Sequence, residues 1–212
     1  MSRPVVHQAA ALLLGYPDET WPGRLHAVRS ALEAVPGQDI ALLLRFCEQV
    51  GATDPLALAA RYVATFDRSR RRCLYLTYYT DGDTRRRGAA LAALKSLYRD
   101  HGWQPPEDEL PDFLPLMLEF AARAPDTGVR LLTDHRPALE LLRFALAAHR
   151  SPYADVVQAV CATLPGSGPA TREAALRLAR TGPPAEAVGL LPYVERAPRR
   201  APDVPHAEET PR

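Results

Sequence analysis

The stretch Ile40-Ala41-Leu42-Leu43-Leu44-Arg45-Phe46-Cys47-Glu48-Gln49-Val50 decides the fold class. Ile40, Leu43, Leu44, Cys47 and Val50 stand at offsets of 3, 4, 7 and 10 residues, which gathers them on one face of a helix. Working outward, the same spacing returns in Leu25, Val28, Leu32 and Val35 on one side and in Leu56, Ala59, Val63 and Phe66 on the other. Leu91, Leu94 and Tyr98 repeat it, and so do Val156, Val157, Val160, Cys161 and Leu164. Alternating strand patterns of useful length are absent, so the chain reads as all-α.

The residues between these stripes agree. Gly15-Tyr16-Pro17 ends a first helix and Pro36-Gly37 a second, with Asp39 expected to cap the third. Asp54 before Pro55 sets a capping side chain ahead of a proline at the first helical position, where its missing N–H costs nothing. Asp83 is expected to cap a helix that stops at Asp100-His101-Gly102. Asp126 or Thr127 opens a short helix ending before Pro137, and Ser151-Pro152 opens the last strongly periodic one. The expectation is a single domain over residues 1–164 with about eight to nine helices joined by short turns. Pro165-Gly166-Ser167-Gly168-Pro169 then reads as a linker, Thr171–Arg180 as a modest helix, and the proline-crowded remainder to residue 212 as a mobile tail.

Composition narrows the function classes. The 212 residues are 47% hydrophobic and 24% charged, enough to bury a real core. The formal net charge is +1, and Lys95 is the only lysine, so nearly all positive charge is arginine. Near-neutrality gives no whole-body attraction to nucleic acid or anionic lipid. No run approaches the roughly 18 apolar residues of a membrane span, and no secretory leader is evident. The three cysteines, Cys47, Cys73 and Cys161, form neither a disulfide framework nor a C-x-x-C pair, which suits a reducing cytoplasm. Cys47 and Cys161 fall on apolar faces and read as small buried hydrophobes.

Two segments exceed what a plain helical bundle requires. The first, FDRSRRRCLYLTYYTDGDTRRRG over residues 66–88, crowds Tyr75, Tyr78 and Tyr79 between arginines. Arg85, Arg86 and Arg87 stand in the first turn of a helix, where cations oppose the macrodipole by about 0.3–1 kcal/mol each when exposed. At least one of them should therefore have a carboxylate partner. The second segment, ELPDFLPLMLEF over residues 109–120, spreads apolar residues over more than one helix face. Its acids Glu109 and Asp112, read as lying at the start of that helix, are natural partners for Arg85 and Arg87. Taken singly, each of these residues fits a core or a solvated face.

Recognisable catalytic chemistry is missing. Gly82 and Gly88 have five residues between them and no following Lys-Ser/Thr, which is not a phosphate loop. The six histidines form no H-x-x-x-H pair and no Glu-x-x-His motif. Serines lie in no nucleophile signature.

Four pieces follow one another with matching gaps: Tyr62-Val63-x-Thr65-Phe66-Asp67, Leu74-Tyr75-Leu76-Thr77-Tyr78, Gly82-Asp83-Thr84-Arg85-x-Arg87-Gly88 and Glu109-Leu110-Pro111-Asp112-x-Leu114-Pro115. With them the chain resembles the nitrate reductase delta subunit, or NarJ, family of assembly chaperones over roughly residues 5–164. The resemblance implies an all-helical cytoplasmic protein that is no enzyme and carries no cofactor or metal. It implies a chaperone that binds the N-terminal segment of the reductase's catalytic (alpha) subunit. That subunit stays competent for insertion of molybdenum cofactor and iron–sulfur clusters, and docks on the membrane later. Molybdenum cofactor biosynthesis proteins are further implied partners.

The physical reading beside the resemblance is helix-in-groove recognition. An amphipathic peptide would lie against Leu76, Tyr79, Leu114 and Met117, oriented by Arg85 and Arg87 or by Glu109 and Asp112. Asp83, Thr84, Leu110, Pro111 and Pro115 complete the expected peptide site. A rival reading is a nucleic-acid-binding helical protein that uses the Arg/Tyr-rich segment 67–88. The neighbouring Asp67, Asp81 and Asp83 and the near-zero net charge weigh against it. A ligand-binding bundle or regulator ranks last, since no dimer heptad or recognition helix stands out.

Overall fold

The structure, a computed structural model, describes residues 3–82, 84–169 and 172–181. Eleven helices run through them: α1 (Arg3–Leu14), α2 (Trp21–Glu33), α3 (Gln38–Gly51), α4 (Pro55–Phe66), α5 (Thr77–Asp81), α6 (Arg85–Asp100), α7 (Leu114–Arg123), α8 (Pro125–Asp134), α9 (Arg136–Ala148), α10 (Tyr153–Thr163) and α11 (Arg172–Thr181). Ten of them precede residue 164, one above the upper expectation, because five-residue α5 is too short to show a period.

Helix α1 is the axis. Val6, His7, Ala9, Ala10, Ala11, Leu13 and Leu14 are all buried, and a helix apolar almost all round belongs in an interior. It packs on α7, α10, α2 and α3. The one buried polar side chain in it, His7, reaches across the core through Nε2. Thr163 Oγ1 donates to Val160 O at 2.7 Å, so it accepts from His7 Nε2–H at 2.8 Å. Burial lowers the His7 pKa to about 4, which keeps the ring neutral.

Aromatic side chains join the next layer. Tyr62 on α4 meets Phe66 at 4.7 Å between ring centroids, and Phe46 of α3 meets Tyr153 of α10 at 4.9 Å. The Tyr62 hydroxyl donates to Leu14 O at 2.9 Å, fixing α4 to the end of α1. A second aromatic group, Tyr98, Trp103 and Phe120, ties α6 to α7. Helices α7 and α8 approach so closely that a Cβ on Gly128 would overlap the backbone of Ala121. Cys47 and Cys161 are buried, with thiols pushed up to about 11 and about 12 by burial, as small interior hydrophobes should be.

Several helix ends match the sequence. Asp54 accepts from Ala57 N at 3.0 Å as the cap of α4, and Gly102 takes a left-handed φ of 67° after α6. Others do not. Asp39 lies inside the first turn of α3, whose cap is Gly37, and its carboxylate accepts from the adjacent Ile40 N instead. Ala124, not Asp126 or Thr127, precedes α8, because Pro125 takes the first helical position. Thr84 is the cap residue of α6; the expectation for Asp83 falls outside the described residues. Residues 109–113 are not helical: Phe113 forms an isolated antiparallel bridge with Tyr75, and α7 starts only at Leu114. Glu109 and Asp112 therefore lie before the helix, where its dipole is not their main partner.

Beyond α10, Arg136 Nη1 donates to Pro165 O and leads the chain back along α9. Helix α11 then packs on α9, with Ala175 buried against Leu141. The sequence from Pro183 onward lies outside the described residues. Among the described residues no helix is long and apolar enough to cross a membrane.

Candidate functional site

Two adjoining arrangements come from the segments that stood out in the sequence. The first is a buried polar knot. Between α4 and α5 the chain runs extended beside residues 110–114. Leu76 N donates to Asp112 O at 3.1 Å, and Leu114 N donates to Leu74 O at 2.8 Å. Asp112 is fully buried there. Its Oδ2 accepts from the Thr77 hydroxyl at 2.6 Å and the Thr77 backbone N–H at 3.2 Å. Arg87 reaches in from the first turn of α6, with Nη2 at 3.6 Å from the same oxygen and Nε donating to Thr77 Oγ1 at 3.2 Å. This is the carboxylate partner that the arginine run required. A buried carboxylate costs several kcal/mol in desolvation unless charge and hydrogen bonds offset it, and Arg87 and Thr77 supply both.

Around the knot the loop is held at every step. Tyr98 donates its hydroxyl to Pro111 O at 2.7 Å. Tyr75 donates to Glu109 Oε1 at 3.0 Å, and burial beside that carboxylate pushes the Tyr75 phenol up to about 12. Glu109 thus pairs with a tyrosine rather than Arg85. Arg85 and Arg86 are exposed and form no ion pair among the described residues.

The second arrangement is an open groove of about 510 Å³ beside the knot. Its floor is α9, which offers Leu141, Phe144, Ala145 and Ala148 at offsets of 3, 4 and 7 residues. Tyr78 and Tyr79 of α5 form one wall and Leu176 of α11 another. Arg70, Arg71 and Arg72 stand at the rim, facing His149 and Arg172. Tyr79 is fixed by donation to Arg71 O at 3.1 Å and Cys73 O at 3.0 Å, and burial raises its pKa. Arg87 stands over the Tyr78 ring at 6.0 Å, so the knot and the groove wall share a side chain.

The expected site residues therefore divide. Tyr79 lines the groove. Leu76, Leu114 and Met117 do not offer apolar surface: all three are 0% exposed and belong to the core, which corrects the expectation that a peptide lies on them. Asp112 and Arg87 face each other, not a peptide end. Pro111 and Pro115 are buried at the loop and at the start of α7, while Leu110 is 39% exposed. Thr84 is exposed and donates to Asp81 O at 2.9 Å. Phe144, Leu141, His149, Arg172 and Leu176 were missed. Their signal was present: α9 carries one apolar face in Ala138, Leu139, Leu142 and Leu146, and a second in Leu141, Phe144, Ala145 and Ala148.

Tyr75 packs against Phe113 at 5.4 Å, and the Tyr79 hydroxyl is committed to backbone. Among the described residues no group of three His, Cys, Asp or Glu side chains could hold a metal ion. A second groove of about 470 Å³, lined by Val5, Ala9, Leu12, Val28 and Ala31, lies between α1 and α2 and touches no expected site residue.

Comparison with known proteins agrees with this fold. The model of the family described as nitrate reductase delta subunit matches residues 31–159. A nitrate reductase-like protein, NarX, of Mycobacterium tuberculosis is 44% identical over 160 residues, 75% of this chain and 24% of that protein. The chain thus spans about a quarter of that relative's length. A probable nitrate reductase molybdenum cofactor assembly chaperone, NarJ, of Bacillus subtilis is 36% identical, covering 78% of this chain and 91% of its own. The Escherichia coli chaperone NarJ is 37% identical over 67% of this chain and 62% of its own. A crystal structure of an Archaeoglobus fulgidus protein described as a redox enzyme maturation protein superposes with a TM-score of 0.59 at 23% identity. It covers 77% of this chain and 93% of that one, and shares the fold.

Proposed function

Because the chain belongs to the nitrate reductase delta subunit family, we propose that it is an assembly chaperone for a respiratory nitrate reductase. It binds the N-terminal segment of the catalytic subunit in the cytoplasm. The subunit stays open for molybdenum cofactor and iron–sulfur insertion, and membrane docking waits. The chaperone itself performs no chemistry.

One observation carries this reading. The motif residues build a rigid buried knot whose outer side is an apolar groove, and a helix laid in such a groove covers its hydrophobic stripe. Release is as important as capture for a chaperone, and a rim of exposed side chains over an apolar floor favours moderate affinity. Isothermal titration of the catalytic subunit's N-terminal segment into the full chain tests it. Saturable one-to-one binding is the expected result, with micromolar or tighter affinity. Absence of heat and of a mobility shift at millimolar peptide would overturn the reading.

A further inference from the structure

We propose that the groove between α5, α9 and α11 selects an acidic amphipathic helix, one whose apolar stripe is flanked by carboxylates. This rests on the peptide-binding reading above and adds the chemistry of the partner.

The rim is the reason. Arg70, Arg71, Arg72, His149 and Arg172 surround the groove, and no carboxylate is among its lining residues. Several arginines elsewhere are paired. Arg29 meets Glu33, Arg45 meets Asp155, Arg123 meets Glu119, and Arg136 and Arg143 share Glu140. Arg70, Arg71 and Arg172 form no ion pair among the described residues, in a chain whose net charge is only +1. Cations gathered without acids around an apolar floor favour a partner that brings the acids, by complementarity and by faster encounter.

The floor sets the partner's shape. Leu141 to Ala148 spans seven residues of α9, about 10 Å at 1.5 Å per residue. One turn of a helix about 10 Å wide occupies roughly 400 Å³, close to the 510 Å³ available. The groove therefore takes the anchoring side chains of a turn or two, with Ala145 and Ala148 leaving depth at one end for bulky anchors. A nucleic acid would share the rim but would set its phosphates over Leu141, Phe144 and Leu176.

Fluorescence anisotropy on the full chain decides. Two labelled peptides share one leucine stripe at helical spacing, with glutamate at the flanking positions in one and lysine in the other. The glutamate peptide should bind at least about tenfold tighter, and rising salt should erase the difference. The doubly reversed Arg71→Glu, Arg172→Glu variant changes only exposed side chains, so its urea midpoint should stay put while its preference inverts. Equal binding of both peptides overturns the proposal. So does indifference of the variant, or displacement of the glutamate peptide by single-stranded RNA at lower concentration than by unlabelled peptide. The reductase's N-terminal segment, measured in parallel, separates the two readings. If it binds wild type and variant equally, the chaperone reading stands and this proposal fails. If the glutamate peptide shows the inversion while that segment does not bind, the groove chemistry stands and its assignment to the segment fails.

Discussion

The knot and the groove adjoin along residues 70–87, yet one is closed and the other open. At the knot, Asp112 is fully buried and its Oδ2 is held by Thr77 and Arg87. At the groove, arginines stand at the rim of an apolar floor, and among the described residues no acid lines it. The difference teaches that a motif's most distinctive residues can be scaffold. Asp112 orders a loop, and the proposed binding falls to neighbours with plainer spacing.

The contrast can be broken hardest at the knot. Asp112→Ala removes the carboxylate beside Arg87 and leaves two Thr77 donors without that acceptor. A loss of about 3–5 kcal/mol in urea unfolding is expected. A loss below 1 kcal/mol would mean that the knot is not what orders the loop. Leu114→Ala, at a site with no exposure, should cost about 2–5 kcal/mol, with peptide affinity per folded molecule unchanged. Weaker binding at intact stability would return Leu114 to the binding surface.

A third change checks the closed core without touching either arrangement. His7 has a folded pKa of about 4 against 6.5 when unfolded, so the unfolded chain takes up its proton first as pH falls. Its contribution is complete above pH 7.5 and is lost through the window from 6.5 down to 4. The difference of about 2.5 units corresponds to about 3 kcal/mol. Stability measured from pH 7.5 to 4 should fall by that much more in wild type than in His7→Gln. Parallel curves would show that the ring is not held neutral in the core.

The smallest stability effect belongs to the groove. Phe144→Ser is expected to cost about 1 kcal/mol of stability, because the ring is only half-buried, while weakening peptide binding by about tenfold or more. Loss of stability without loss of affinity would move the binding surface elsewhere.

Much of the fold was legible because helical periodicity and proline positions are local signals. The stripes of α3, α6 and α10, and Asp54 before Pro55, came straight from spacing, whereas α4 buries Leu58, Ala59, Tyr62, Thr65 and Phe66 and leaves the expected Leu56 79% exposed. The Arg87–Asp112 pair was foreseen in kind, since three arginines at a helix start demand a partner. What escaped was depth. Leu76, Leu114 and Met117 read as surplus apolar surface because sequence does not say which of two apolar faces other helices cover. Only α1 packing on α7, and the bridge between Tyr75 and Phe113, decide that. The same ambiguity hid Phe144, which lies on a second apolar face of α9 that lines the groove.

Hydrogen–deuterium exchange on the full chain, with and without the N-terminal segment of the reductase catalytic subunit, tests the groove most directly. Slowed exchange should appear together in residues 68–80, 141–149 and 172–177, with residues 3–31 unchanged. Protection confined to residues 3–31, where the second groove lies, or none anywhere, would contradict it.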